Sequence, residues 1–339
     1  MPDLQGSLHV LQHRLSKLHG RYKSLSAARQ ILVQDAVIWT IAGFCIWWVS
    51  RGVSFEEFIK ALHGARIWLF VLVNVLSLFL WWLGDTVLFA ALFTFFHEKT
   101  RFRELLPATA AQYFIQAINM LAADGALIVF LNRRKGVGWL TATWTMMYLG
   151  LIDAMVLAAL TTASALLMPH SPIRAALPYS AGALCFFILV ALWWAWGKPM
   201  TRPEKWMYNR PSAKAFREAG WREYVVLGSI RTGMVAAQSL LYCYAILAFA
   251  PKVPFLQVIA LTPAIQAASN EPVTPQGLGP LQALFVDGLS KFAPRDQILA
   301  AALGISVLAL LCRLPLGLGA AGTFARRVLA MRAAGEERD

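Results

Sequence analysis

Residues 67–96 read IWLFVLVNVLSLFLWWLGDTVLFAALFTFF and contain a single charged residue, Asp85. A helix needs about 20 predominantly apolar residues to cross a bilayer, so this stretch predicts a transmembrane helix. Further stretches of the same kind lie at 31–50, 140–168, 179–197, 224–250 and 298–322. The short alternating segments of a membrane β-barrel are absent from the sequence. The sequence therefore predicts an all-α polytopic membrane protein with about six full transmembrane helices.

The composition agrees with this class, since 58% of the residues are hydrophobic and only 14% are charged. The net charge of +13 comes from basic residues that flank the apolar stretches, and no nucleic-acid recognition motif accompanies it. We therefore expect no nucleic-acid partner. The cysteines lie inside apolar stretches without CxxC spacing, which favours packing roles over a disulfide or a metal site. They are Cys45, Cys185, Cys243 and Cys312. No metal or cofactor is expected.

The basic residues also predict the orientation, because Lys and Arg accumulate in cytoplasmic loops. With a cytoplasmic N-terminus, most of the 31 Lys and Arg residues fall on the cytoplasmic side. Leucines at helical spacing in residues 1–30 predict an amphipathic segment on the cytoplasmic membrane surface, and 31–50 is then an uncleaved first span. We expect a multi-pass protein of the bacterial inner (plasma) membrane with both termini in the cytoplasm. The cytoplasmic flanks are 1–30, 97–106, 132–139, 198–223 and 323–339.

Two less regular segments, 107–131 and 255–291, are predicted to be re-entrant helical hairpins. A full crossing by 113–131 would place the basic residues at 133–135 on the outer side, against the charge rule. Residues 255–291 contain several Pro and Gly residues and are too irregular for one helix. The hairpins would enter the membrane from opposite sides.

The chain then divides into two membrane repeats with inverted orientation, each with two spans, a hairpin and a third span. The first repeat covers 31–168 and the second covers 169–322, followed by a basic cytoplasmic tail at 323–339. Inverted repeats with broken helices near the midplane are typical of transporters.

A motif in the second hairpin points to a family. Residues 271–282 read EPVTPQGLGPLQ. This stretch resembles the Pro-x-x-Pro-Gly-Gly-x-Gly-x-x-Glu signature of the lysylphosphatidylglycerol synthase transmembrane (flippase-like) family. The polar run from Asn119 through Asp124 to Arg134, with Asp153 later, is similar to that family's other signature. Two positions depart from the pattern: Gln282 replaces an acidic residue, and LAADG at 121–125 replaces Pro-Gly-x-x-Gly-Glu.

The resemblance implies a lipid-translocating membrane domain. The best-known members carry a further aminoacyl-transferring domain, and we expect this chain to be the stand-alone membrane domain without it. Short members are associated with glycolipid or hopanoid-type lipid pathways.

Ionisable residues inside the apolar segments are the candidate site residues, because a charge at the bilayer centre costs on the order of 3 kcal/mol. Arg231 and Arg313 are predicted to bind a lipid phosphate, with backbone amides at Gly277 and Gly279. Carboxylates would accept hydroxyl-rich or cationic groups, or carry a proton. The alternative is that Asp and Arg pair internally and only stabilise the bundle. The remaining substrate-binding candidates are Asp85, Asp124, Asp153, Gln238, Asn119, Glu271 and Gln282.

These residues favour a lipid translocase that moves a polar or phosphate-bearing headgroup between leaflets. An intramembrane enzyme or a non-transporting scaffold subunit of a lipid or glycolipid synthesis pathway is the alternative. No catalytic residue is proposed, since the sequence lacks Walker, HExxH and GxSxG signatures. The expected partners are membrane lipids (phospholipid, glycolipid or isoprenoid-type lipid), with a lipid-synthesising enzyme and a homo-oligomer left open.

Overall fold

The computed structural model describes residues 40, 43, 44, 47, 55–118, 120–168, 171–196, 210–270 and 278–336. Within these residues the regular structure is entirely helical, as the sequence predicts. Short 3-10 helices at Pro172–Ala176 and Pro211–Ala213 precede the sixth and seventh α-helices. The α-helices are α1 (Phe55–Gly64), α2 (Ile67–Phe96), α3 (Phe102–Ile118), α4 (Met120–Lys135), α5 (Trp139–Leu167), α6 (Leu177–Trp196), α7 (Lys214–Glu218), α8 (Trp221–Leu247), α9 (Phe255–Asn270), α10 (Pro280–Leu289) and α11 (Arg295–Glu336).

Five segments are long and apolar enough to cross a membrane, and they coincide with five of the six predicted spans. They are Ile67–Phe96, Trp139–Leu167, Pro172–Trp194, Trp221–Leu247 and Arg295–Gly317. The predicted amphipathic segment at 1–30 lies outside the described residues, and so does the predicted span at 31–50 apart from four of its positions. The multi-pass helical architecture is therefore confirmed, whereas the count of six spans stays a prediction.

The last helix is longer than its predicted span. α11 has 42 residues, which corresponds to about 63 Å at the usual rise, roughly twice the thickness of the hydrocarbon layer. Residues 323–336, predicted as a tail, therefore continue the last span as helix. Helix α1, which the sequence analysis did not predict, packs against α11.

Two pairs of shorter helices fold back on themselves where hairpins were predicted. In the first pair, Gln112 of α3 donates a hydrogen bond to Asp124 of α4 over 3.0 Å. A continuous helix would separate these residues by about 18 Å, so α4 folds back along α3. In the second pair, α9 packs on α10, and the backbone of Gly288 lies so close to Leu261 that an added Cβ would collide with the leucine side chain.

Two apolar clusters lie at opposite ends of the bundle and leave a polar layer between them. The first contains Phe70, near the start of α2, with Ile246, near the end of α8. The second contains Phe93, near the end of α2, with Leu227, near the start of α8. The helices thus bury apolar side chains at both ends, and the polar residues in the middle of α2 and α8 face each other.

Candidate functional site

The polar layer is organised by the antiparallel packing of α2 on α8. Phe70 contacts Phe249 at one end of this pair, and Asp85 meets Arg231 further along. On α2 the polar face consists of positions three or four residues apart, which is the spacing of one side of a helix. These positions are Asn74, Ser77, Trp81 and Asp85.

Arg231 is the centre of the site and is 5% exposed. Its Nη2 lies 2.8 Å from Oδ2 of Asp153, and its Nη1 lies 3.3 Å from Oδ1 of Asp85. The guanidinium also lies over the ring of Trp81, at 4.5 Å from the ring centroid. Since a buried ion is stable only when it is paired, the two carboxylates explain how α8 holds a guanidinium here. Arg231 is thus paired internally with two aspartates, whereas its predicted role in phosphate binding stays a prediction.

A second guanidinium is linked to the first through Tyr113. The Tyr113 hydroxyl donates a 2.6 Å hydrogen bond to Oδ2 of Asp85, and Arg313 lies over the Tyr113 ring, at 5.0 Å from its centroid. The contacts thus run from Asp153 through Arg231, Asp85 and Tyr113 to Arg313, and they join α5, α8, α2, α3 and α11. The Nε and Nη1 atoms of Arg313 are buried and find no hydrogen-bond acceptor among the described residues.

Gln238 supports the same layer from α8, two turns after Arg231. Its Oε1 accepts hydrogen bonds from the Ser77 hydroxyl at 2.6 Å and from the Trp81 indole at 2.8 Å. These bonds orient Trp81, whose ring then faces Arg231. The predicted face of α8 that carries Arg231 and Gln238 is therefore polar and buried, as the spacing indicated.

Two cavities meet at this network. The first has a volume of about 170 Å³ and is lined mainly by amide, hydroxyl and aromatic side chains together with both guanidinium groups. The second has a volume of about 690 Å³ and is lined mainly by apolar side chains and by three carboxylates. Both cavities contain four of the same residues in their walls, namely Asp85, Gln116, Arg231 and Asn270.

The structure brings most of the predicted site residues to these cavities. Arg313 and Gln238 line the first, Asp124 and Asp153 line the second, and Asp85 and Arg231 line both. Asn119, Glu271 and Gly277 lie outside the described residues.

Gln282 and Gly279 line neither cavity. The backbone amide of Gly279 donates to Oε1 of Gln282 over 2.6 Å. The Gln282 amide nitrogen donates to the Ala302 carbonyl and to the Ser306 hydroxyl. Gly279 has a φ of 98°, which favours glycine, and it immediately precedes α10. In this structure both residues start α10 and attach it to α11, and their predicted contact with substrate stays a prediction.

Sequence reasoning missed several residues of the first cavity. Tyr113 and Trp81 were not predicted, because aromatic residues are common in membrane helices for packing and interfacial reasons. The regular spacing of polar residues along α2 is the sequence feature that could have identified Trp81. Ser269 and Asn74 were also missed.

The matched family agrees with this architecture. A profile of the lysylphosphatidylglycerol synthase TM region matches residues 34–317. The chain belongs to this family. The match confirms the family that residues 271–282 resembled. Membership in this family indicates a role connected with membrane lipids. No curated protein matches the chain.

Proposed function

We propose that the protein is a lipid translocase that moves a polar or phosphate-bearing headgroup between the leaflets of a bacterial inner membrane. The observation that carries this proposal is the pair of cavities that meet at Asp85 and Arg231. The ion pair of Arg231 with Asp85 therefore belongs to the walls of both cavities. Rearrangement of the contacts between Arg231 and its carboxylates would connect the two cavities, while the acyl chains remain in the lipid.

The proposed topology supports a route of this kind. We propose that the α3–α4 and α9–α10 pairs are re-entrant hairpins that enter from opposite sides, and that 31–50 completes six spans in two inverted repeats. The 17 residues of α3 extend about 25 Å, less than the hydrocarbon thickness. The pairs also supply amides to the cavities, Gln112 and Gln116 from the first and Gln266 and Asn270 from the second.

The charges of the network suit a substrate with an anionic group. A phosphate that approaches Arg231 offers the same kind of oxygen ligands as Asp85 and Asp153, so the guanidinium can exchange one partner for another without losing its compensation. An apolar or uncharged headgroup offers no such replacement. This exchange keeps the guanidinium compensated while its contact with one carboxylate opens.

The proposal is tested by reconstituting the protein in vesicles and measuring how fast a headgroup-labelled phospholipid becomes accessible to a membrane-impermeant quencher. We expect the wild type to accelerate this exposure. Ala154, in the wall of the larger cavity, gives the test variant, since Ala154→Phe adds bulk there without changing charge. We expect this variant to slow exposure by about tenfold, which corresponds to about 1.4 kcal/mol in the barrier.

The matched control is Ala236→Phe, which adds the same bulk on an exposed face of α8 away from both cavities. This control should behave like the wild type. Translocation would be refuted if the labelled headgroup became accessible no faster with the wild-type protein than in protein-free vesicles.

A non-transporting scaffold subunit is the second candidate, and the internal pairing of Arg231 favours it. A scaffold needs the network only for stability. It predicts that Ala154→Phe, if folded, leaves both lipid sidedness and the output of an associated lipid-synthesising enzyme unchanged. The scaffold interpretation would be excluded if Ala154→Phe slowed headgroup exposure while Ala236→Phe did not.

A further inference from the structure

The first cavity contains polar groups that no described residue satisfies. Gln266 is 5% exposed and lines this cavity, yet neither its Oε1 nor its Nε2 has a hydrogen-bond partner within the described part of the chain. The same holds for Nε and Nη1 of Arg313, in the wall of the same cavity. Because a buried polar group without a partner costs about 1–3 kcal/mol, such groups indicate a ligand or ordered water in the cavity.

Arg313 differs from Arg231 in how its charge is compensated. Arg231 has two carboxylates within 3.3 Å, whereas Arg313 has no carboxylate within salt-bridge distance among the described residues. Arg313 rests instead on the face of Tyr113. A guanidinium that has free N–H groups and no anionic partner binds the oxygens of a phosphate readily, since its planar fork matches their geometry.

The carboxamide of Gln266, unpaired in the residues that the structure describes, suits a hydroxyl group rather than a phosphate. Its carboxamide can donate and accept at the same time, and a hydroxyl group is the complementary partner because it also donates and accepts. Apart from the ion pair between Asp85 and Arg231, the other polar groups in the wall are amides and hydroxyls. Trp81 and Tyr242 add aromatic surface. The second cavity contains Asp124 and Asp153 in addition to that ion pair, so a phosphate binds more favourably in the first cavity. A free cationic amine would instead favour that acidic cavity.

We propose that the first cavity is a subsite for a phosphate ester with a hydroxyl-rich substituent, such as a glycerol or sugar phosphate, with Arg313 binding the phosphoryl oxygens and Gln266 a hydroxyl. This inference rests on the proposed function only in assigning the ester to a lipid headgroup. The volume of about 170 Å³ is below that of pockets for whole drug-sized ligands, so the subsite holds a headgroup rather than a complete lipid.

The test is ligand-dependent thermal stabilisation of the purified protein in a sugar-free detergent. The probes are glycerol 3-phosphate, inorganic phosphate and glycerol at equal concentration. We expect the wild type to be stabilised most by glycerol 3-phosphate, less by phosphate and not by glycerol. Arg313→Gln should weaken the binding of both phosphates by at least about tenfold, as expected for the loss of charge-assisted hydrogen bonds.

Gln266→Leu separates the two halves of the subsite. It should retain the response to inorganic phosphate and lose the additional stabilisation by glycerol 3-phosphate. The matched controls are Thr262→Val, a buried polar-to-apolar change on the same helix, and Arg174→Gln, an exposed loss of charge. Both lie outside the cavities and should respond like the wild type. If Arg313→Gln does not fold, Arg313→Lys is used, and a weakened response is expected.

A short-chain phosphatidylglycerol distinguishes the source of the ester. Binding at least tenfold tighter than that of glycerol 3-phosphate identifies a lipid headgroup, and equal binding identifies a soluble phosphate ester; both results support the subsite. No stabilisation by any phosphate, or an undiminished response in Arg313→Gln, would overturn it. If the protein accelerates headgroup exposure in vesicles but no phosphate stabilises it, only the subsite is overturned. If phosphates stabilise the protein but it does not accelerate headgroup exposure, only the proposed translocation is overturned.

Discussion

Arg231 shows how a single buried charge depends on its partners. Removing the guanidinium by Arg231→Gln leaves Asp85 and Asp153 close together without a cation between them. We expect a loss of about 3–5 kcal/mol in the free energy of unfolding, because breaking a buried pair leaves uncompensated charge. Asp153→Asn alone should cost less, since Arg231 keeps Asp85. The measurement is the thermal unfolding midpoint of each variant in detergent.

The double variant is the control for this interpretation. In the Arg231→Gln background, Asp153→Asn removes a repelling charge and should therefore raise the midpoint, although it lowers the midpoint in the wild type. A coupling energy of about 0.5–3 kcal/mol is typical of residues in one network. Additive effects of the two substitutions would show that the ion pair does not stabilise the bundle.

The charged residues of this network could be predicted individually from the sequence. Asp85, Asp153 and Arg231 could be predicted because a charge inside an apolar stretch is costly and therefore rare. Internal Asp–Arg pairing was foreseen as an alternative, but which aspartates contact Arg231 could not be predicted, since the register of α2 against α8 is fixed by packing at both ends of the bundle. Tyr113 has no such signal, although it connects the two guanidinium groups.

Helix α10 illustrates how an element depends on one buried side chain. Gln282 accepts from the Gly279 amide at the start of the helix and donates to α11. We expect Gln282→Leu to lower the free energy of unfolding by about 2–3 kcal/mol, because it leaves buried polar groups unsatisfied. The measurement is the unfolding midpoint, and the control is Ser290→Ala, at the exposed residue that follows the same helix. A Gln282→Leu protein as stable as the wild type would mean that this residue does not hold α10 in place.

The boundaries of some helices could be predicted from the sequence, and those of others could not. α2 begins and ends where the apolar stretch 67–96 does, since nothing but length and apolarity determines a membrane helix. The reversal between α3 and α4 was predicted from the basic residues that follow it, and the break before α10 from its Pro and Gly residues. α1 was missed because its ten residues lie in a stretch too short and too polar to indicate a span.

The arrangement of the whole chain in the membrane is the last prediction, and it depends on where the loops lie. If α3 and α4 form a hairpin from the cytoplasm, Arg134 and Lys205 lie on the same side, and Lys252 lies on the opposite side. In a cysteine-free background, Arg134→Cys and Lys205→Cys should react with an impermeant thiol reagent only after the cytoplasmic face is exposed. Lys252→Cys should react in intact cells, and this opposite pattern is the internal control. Labelling of Arg134→Cys from outside would mean that 107–131 crosses the membrane completely. The two halves would then not be inverted, and the proposed translocation route would lose the support of opposed hairpins.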